Sequence, residues 1–175
     1  MADAGRAAKC NAGTVAGNAD ADAAWMELAL QQAALGAARG EVPVGAVVVL
    51  GGEVVGAGFN CPISACDPTA HAEVQALRDA AGRIGNYRLR DASLYVTIEP
   101  CSMCAGALVH ARIGRLVFGA REPKAGAVIS QGRLLDAPYL NHRVQWQEGV
   151  LACRCGAAVS EFFAARRRAG KALKD

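Results

Sequence analysis

The chain has 175 residues, a hydrophobic fraction of 53% and a formal net charge of +3, which excludes a disordered or collagen-like chain and sets one compact domain as the expectation. Seven cysteines is an odd number, which excludes a framework pairing every thiol within the chain. The mildly basic balance permits a polyanionic partner without demanding one; the basic residues Arg166, Arg167, Arg168, Lys171 and Lys174 crowd the C-terminus.

Residues 1–20 lack hydrophobic periodicity and are expected to form a disordered tail, leaving residues 21–175 as a single domain. Their Ala and Gly content suits a transit segment, but Asp3 and the scarcity of Arg and Ser argue against one. Trp25, Leu28, Ala29 and Leu35 recur at helical spacing, predicting a helix over 22–38 with Asp20 or Asp22 as its cap. Residues 44–50 form a valine-rich apolar run that reads as a buried strand. Gly51-Gly52 turns it into a second strand over 53–59. Asp67-Pro68 reads as a carboxylate cap with proline at the first helical position, predicting a helix to about residue 81. A third strand follows over 93–98, a helix from Cys101 to about 111 and a fourth strand over 115–119. A short fifth strand over 143–147 and a last helix from about 151 to 168 complete the chain. This order predicts an α/β fold: a mixed five-stranded sheet with helices on both faces. No run approaches membrane-spanning length and no apolar N-terminal segment reads as a secretion signal, so the expectation is a cytoplasmic protein with no membrane contact.

The chemistry concentrates in His71-Ala72-Glu73 and Pro100-Cys101-Ser102-Met103-Cys104. Cys101 and Cys104 share one face of a helix and can grip one ion, and the positive helix end favours thiolate. With His71 they make three soft ligands for zinc, one short of a closed structural site, so one position stays open for water. Glu73 is then free to carry protons. H-x-E followed by P-C-x-x-C is the pattern of zinc-dependent nucleobase deaminases. C-x-x-C alone also marks redox motifs, but these need no His71-Ala72-Glu73. A closed structural zinc needs a fourth ligand, for which Cys61, Cys66, Cys153 and Cys155 are the candidates. His110 and His142 read as cap or loop residues.

Asp67-Pro68-Thr69-Ala70-His71-Ala72-Glu73, Asn86-Tyr87-Arg88-Leu89, the run 94–107 through Glu99-Pro100-Cys101-Ser102-Met103-Cys104, and the run 112–120 from Arg112-Ile113-Gly114-Arg115 together closely resemble the bacterial tRNA-specific adenosine deaminases, over roughly residues 22–170. The resemblance implies a three-layer α/β/α cytidine-deaminase-like fold, a homodimer, and hydrolysis of the wobble adenosine of a tRNA anticodon stem-loop to inosine with release of ammonia. It implies one zinc per chain on His71, Cys101 and Cys104, with Glu73 as the catalytic proton shuttle. It puts Asn60 and the backbone of Ala72 against the base. Asn141, Phe163 and Arg166 fall where anticodon-loop contacts are expected, and Glu122 where relatives often carry aspartate near the ribose. Cys61 and Cys66 stand where the family has no cysteine.

Single-stranded loops are where proteins most readily read RNA sequence, and an unpaired base is the cheaper one to extrude. With aromatic residues at only 5%, the stacking candidates are Phe162, Phe163 and Tyr139. Of the adjacent pair Phe162-Phe163, one ring is expected to face outward. Two other function classes compete: a small-molecule base or nucleoside deaminase of guanine or cytosine type with the same zinc machinery, and a zinc-stabilised RNA-binding module with no catalysis. The arginine run favours RNA over a free base, and Glu73 favours catalysis over binding alone.

Overall fold

The structure, a computed structural model, describes residues 19–172, with side chains through Ala169. Apart from Ala19 and Asp20, the tail expected over 1–20 lies outside the described residues. In chain order the elements are α1 (Ala19–Ala38), β1 (Gly45–Leu50), β2 (Glu53–Phe59), α2 (Pro62–Ala65), α3 (Ala72–Ile84), β3 (Ser93–Ile98), α4 (Ser102–His110) and β4 (Arg115–Ala120). A 3₁₀ turn (Leu134–Asp136), β5 (Gln145–Glu148) and α5 (Ala152–Ala172) complete the chain.

The five strands form one sheet in the order β2-β1-β3-β4-β5. β1 is antiparallel to both β2 and β3, whereas β3, β4 and β5 run parallel. Gly51 and Gly52 both take positive φ, 61° and 83°, which a tight hairpin between right-twisted strands requires. Residues of β1, β3 and β4 are buried on both sides because helices cover both faces. One core joins α3 and α4 to the sheet through Ala76, Leu89, Leu94, Leu108 and Phe118. The other joins α1 and α5 through Met26, Val47, Val117 and Cys155. This is the expected mixed sheet with three layers.

Two local expectations change. α1 begins three residues before Asp22, so Asp22 lies inside the helix and does not cap it. Its side chain is buried and turns to the sheet, accepting from Tyr95 Oη at 2.8 Å and from Arg115 at 2.8 and 2.6 Å. Arg115 also donates to Gln147 Oε1 at 2.6 Å, so α1, β3, β4 and β5 are tied at one point. The second change concerns Asp67-Pro68, which does not open α3. Asp67 instead closes a local turn, accepting from the Thr69 amide and hydroxyl at 2.8 and 2.7 Å. α3 starts four residues beyond Pro68, with His71 at the N-cap. The short helix α2 was not expected. Its first turn is held by the buried carboxylate of Glu41, which accepts from the Ser64 amide at 2.7 Å.

α3 sits close on the sheet because β2 carries glycine beneath it. A Cβ on Gly58 would stand 2.6 Å from the Ala76 amide nitrogen and 2.7 Å from the Ala72 carbonyl. That close seat fixes where α3 begins, and so where His71 lies.

Candidate active site

His71 and Cys101 occupy equivalent positions. Each is the N-cap of its helix, with extended backbone (ψ 154° and 175°) and no side-chain cap bond to its own helix. Both side chains are therefore free to project beyond the helix ends, where the two helix N-termini converge. Cys104, in the first turn of α4, completes the group. His71 Nδ1 lies 3.7 Å from Cys101 Sγ and 3.6 Å from Cys104 Sγ. All three donor atoms lie within 4.8 Å of one another. Cys104 is buried, while His71 and Cys101 are half-buried, so the group has one accessible side.

Hydrogen bonds from the Cys104 thiol and then from His71 pull the Cys101 thiol down to about 3, so it is a thiolate. The same hydrogen bond, together with burial, pushes Cys104 up. His71 is raised, chiefly by its bond to Cys101. The group therefore holds protons that a cation would displace. Glu73, in the first turn of α3, is 4% exposed. Burial pushes its carboxyl up to about 7, and the Cys101 thiolate adds to this, against the opposing effects of its own backbone amide and His71.

No fourth His, Cys, Asp or Glu joins the three donors among the described residues. Of the candidate fourth ligands, Cys155 is buried in the α1/α5 core and Cys153 is exposed. Cys61 and Cys66 flank α2 as free thiols. His142 bonds the Ile113 carbonyl at 2.7 Å and His110 ends α4 exposed, both as expected.

Asn60 follows β2 directly. Its Oδ1 accepts the Ala72 amide at 2.9 Å, so its NH₂ group is the part left to face a ligand. The Ala72 amide is thereby engaged. Glu122 uses Oε1 to accept the Lys124 amide at 2.9 Å, closing its own loop. Phe163 is 41% exposed, whereas its neighbour Phe162 is half-buried and meets it edge to face at 5.6 Å. Arg166 lies 5.6 Å over the Phe162 ring, and its charge reaches Glu41 beside the α2 turn, on the Asn60 side of the molecule. Asn141 is not brought to this cluster. It binds Arg112 at 2.7 Å past the far end of α4, a nine-residue helix, which puts it about 13 Å along the helix from the ligand end.

One residue of the site escaped the sequence reading. Glu99, two positions before Cys101, is 3% exposed and accepts from a whole loop. The amides of Val128, Ile129 and Ser130 reach Oε1 at 3.1, 2.8 and 2.9 Å. The Glu122 amide reaches Oε2 at 3.1 Å, joined there by the Ser130 hydroxyl. Burial alone would raise this carboxyl, but the bonds from Ser130, Ile129 and Glu122 outweigh it and hold Glu99 below the usual range. The only sequence signal was an acid closing an apolar strand just before Pro-Cys.

Comparisons with known proteins agree with this geometry. A family model of MafB19-like deaminases matches residues 20–167. The tRNA-specific adenosine deaminase of Haemophilus influenzae is 48% identical over 154 residues, 87% of this chain and 89% of that protein. The tRNA-specific adenosine deaminase of Bacillus subtilis is 39% identical over 153 residues, 87% and 95%. A solved structure from studies of A-to-I editing by tRNA:A34 deaminases at the wobble position of transfer RNA is 43% identical, with a TM-score of 0.75, over 77% of this chain and 98% of that one. With the histidine and cysteines gathered at two helix N-termini and relatives matched along most of its length, the chain belongs to the deaminase family, among the bacterial tRNA-specific adenosine deaminases.

Proposed function

We propose that this chain hydrolyses the wobble adenosine of a tRNA anticodon stem-loop to inosine and ammonia, with one zinc ion on His71, Cys101 and Cys104. The observation that carries the reading is the three-donor cluster with Glu73 buried beside it. The donor set fits the metal. Tetrahedral zinc bonds to nitrogen and sulfur put those two atoms about 3.6 Å apart, and the two Nδ1–Sγ distances are 3.7 and 3.6 Å. Zinc, when bound, supplies a water that is nucleophilic at neutral pH.

The chain's own residues do the rest. Glu73 accepts a proton from the attacking water and delivers it to N1 of adenine, making C6 electrophilic. It then takes the proton of the new C6 hydroxyl and passes it to the departing amine, so that C6 becomes a carbonyl and ammonia leaves. Its carboxyl, raised to about 7 by burial, can both hold and release a proton near neutrality. The zinc charge opposes that rise. Asn60, its oxygen committed to Ala72, donates its NH₂ to an acceptor on the base. Phe163 offers an exposed ring to an unstacked loop base, and Arg166 offers charge to phosphate.

The reading includes a cytoplasmic protein acting as a homodimer, with residues 21–175 as one domain. For the compartment, the support is the need for free thiols and the absence of any described helix long and apolar enough to cross a membrane. For the dimer, it is the open side of α4 at Gly106: nothing lies within 4 Å of a Cβ built there, and the half-buried Met103 stands one turn before it. A stable monomer at micromolar concentration by light scattering would contradict that part.

The deciding experiment is Glu73→Ala on the zinc-loaded chain, with inosine in an anticodon stem-loop and ammonia as readouts. The variant should keep zinc and a cooperative melt yet lose about 10²–10⁴-fold in rate. Guanine, cytosine and adenosine belong in the same assay. A parent that deaminates a free base and leaves the stem-loop untouched would overturn the RNA reading.

A further inference from the structure

We infer that Glu99 is a positioning residue, whose carboxylate holds the 122–130 loop as a wall beside the metal-binding turn and so sets how the RNA enters; this rests on the deaminase reading above. Five donors converge on it, three on Oε1 and two on Oε2, and all come from that one loop. The loop is also stitched to the turn that carries a ligand. Gly126 forms an antiparallel bridge with Cys101, and the Ala127 amide donates to the Pro100 carbonyl at 2.9 Å. A depression of about 500 Å³ lies between Ala125–Ala127 of this loop, Ser102 of α4 and the exposed Tyr139. At the other end of the clamp, Glu99 fixes the Glu122 backbone. The Glu122 side chain in turn fixes Lys124, which is exposed and able to meet phosphate.

Two features say that this contact is built for a carboxylate. An amide at position 99 would bring two donors of its own into a ring of donors, so one side would face the Glu122 amide with nothing to offer it. Position 126 is glycine, and a Cβ there would overlap the Glu99 carboxyl group. Cys101 already has its own supports in Cys104 and His71. The loop has Glu99 as its shared anchor, so losing the carboxylate frees the wall before it frees the metal.

Two variants attack the contact from opposite sides, Glu99→Gln from the acid and Gly126→Ala from the loop, each in the full zinc-loaded chain. Amide hydrogen exchange at 122 and 128–130 should rise at least ~10-fold while α3 and α4 keep their protection. Zinc should stay at one per chain. With the anticodon stem-loop, KM should rise about tenfold and kcat stay within about threefold, the signature of lost binding rather than lost chemistry. If one variant fails to fold, the other still decides. Unchanged exchange overturns the inference. So does faster exchange with an unchanged KM, which would make the clamp structural only, and so does zinc loss with collapse of kcat. A parent that makes no inosine sinks the deaminase reading and the RNA half of this inference with it, while the exchange data still report whether Glu99 holds the loop.

Discussion

Cys104 is fully buried and contributes one of the three donors. In the proposed zinc site, its replacement by alanine would leave two ligands, and two ligands hold a divalent ion poorly. Cys104→Ala should retain at least about tenfold less zinc after dialysis against a chelator, because the binding free energy is shared among the ligands. Metal analysis showing unchanged tight zinc would remove Cys104 from the ligand set. That His71, Cys101 and Cys104 come together was legible in the sequence, because coordination chemistry dictates residue type and spacing together. Glu99 and Asp22 were not. Their partners lie 23 to 31 and 73 to 93 residues away, and no local pattern announces them. A single acid near a helix start or a strand end has a cheap local explanation, a cap or a solvated end, and sequence reasoning takes it.

Among the elements, the strands and helices were read nearly to their ends because apolar periodicity marks them. Asp-Pro is a valid helix opening, so the sequence places the start of α3 too early; the Thr69 bonds to Asp67 instead complete a turn before it. α1 owes its docking to Asp22. The bond from Arg115, then that from Tyr95, holds the Asp22 carboxyl below the usual aspartate range even though burial opposes this. A folded pKa below the unfolded value gives stabilisation that is complete above about pH 4 and lost as pH falls through the lower folded value. Asp22→Asn should therefore lower stability at pH 7 by about 3 kcal/mol, leaving Arg115 half-paired. Its deficit against the parent should shrink as both are titrated below about pH 3. A constant deficit by thermal melts across that range would show that the loss is one of packing, not charge. α5 is the element to test for RNA. Trimming after Ala165 removes the Arg166–Arg168 run and should raise KM for the stem-loop and flatten its dependence on salt, with zinc retained. A folded truncation that edits as well as the parent at several salt concentrations would make the run a solvated face.

For the whole molecule, two glycines make opposite demands. Gly58 lies under the first turns of α3, where a methyl group would meet backbone at 2.6–2.7 Å. Gly58→Ala should cost about 1–3 kcal/mol by overpacking and loosen zinc as α3 lifts. Gly106 faces open space on α4. There alanine should stabilise the isolated chain by about 0.5–1 kcal/mol through helix propensity. If α4 packs against a second copy, the same methyl group should weaken self-association, so calorimetry and sedimentation of Gly106→Ala would move in opposite directions. Association unchanged by the substitution would move the dimer contact off this face.

On the proposed roles, the bond from the Ala72 amide to Asn60 joins the residue that would read the base and the helix that would offer the histidine into one rigid body. Base choice and metal retention are therefore not independent traits at position 60. A substitution there that cannot accept the Ala72 amide changes what is recognised and also loosens the alignment of His71. Selection for a new substrate would meet a metal cost at this position on its first step. Changes at Tyr139 or Lys124, exposed and outside that rigid body, would not. An altered specificity is thus more accessible through the outer wall of the site than through its floor.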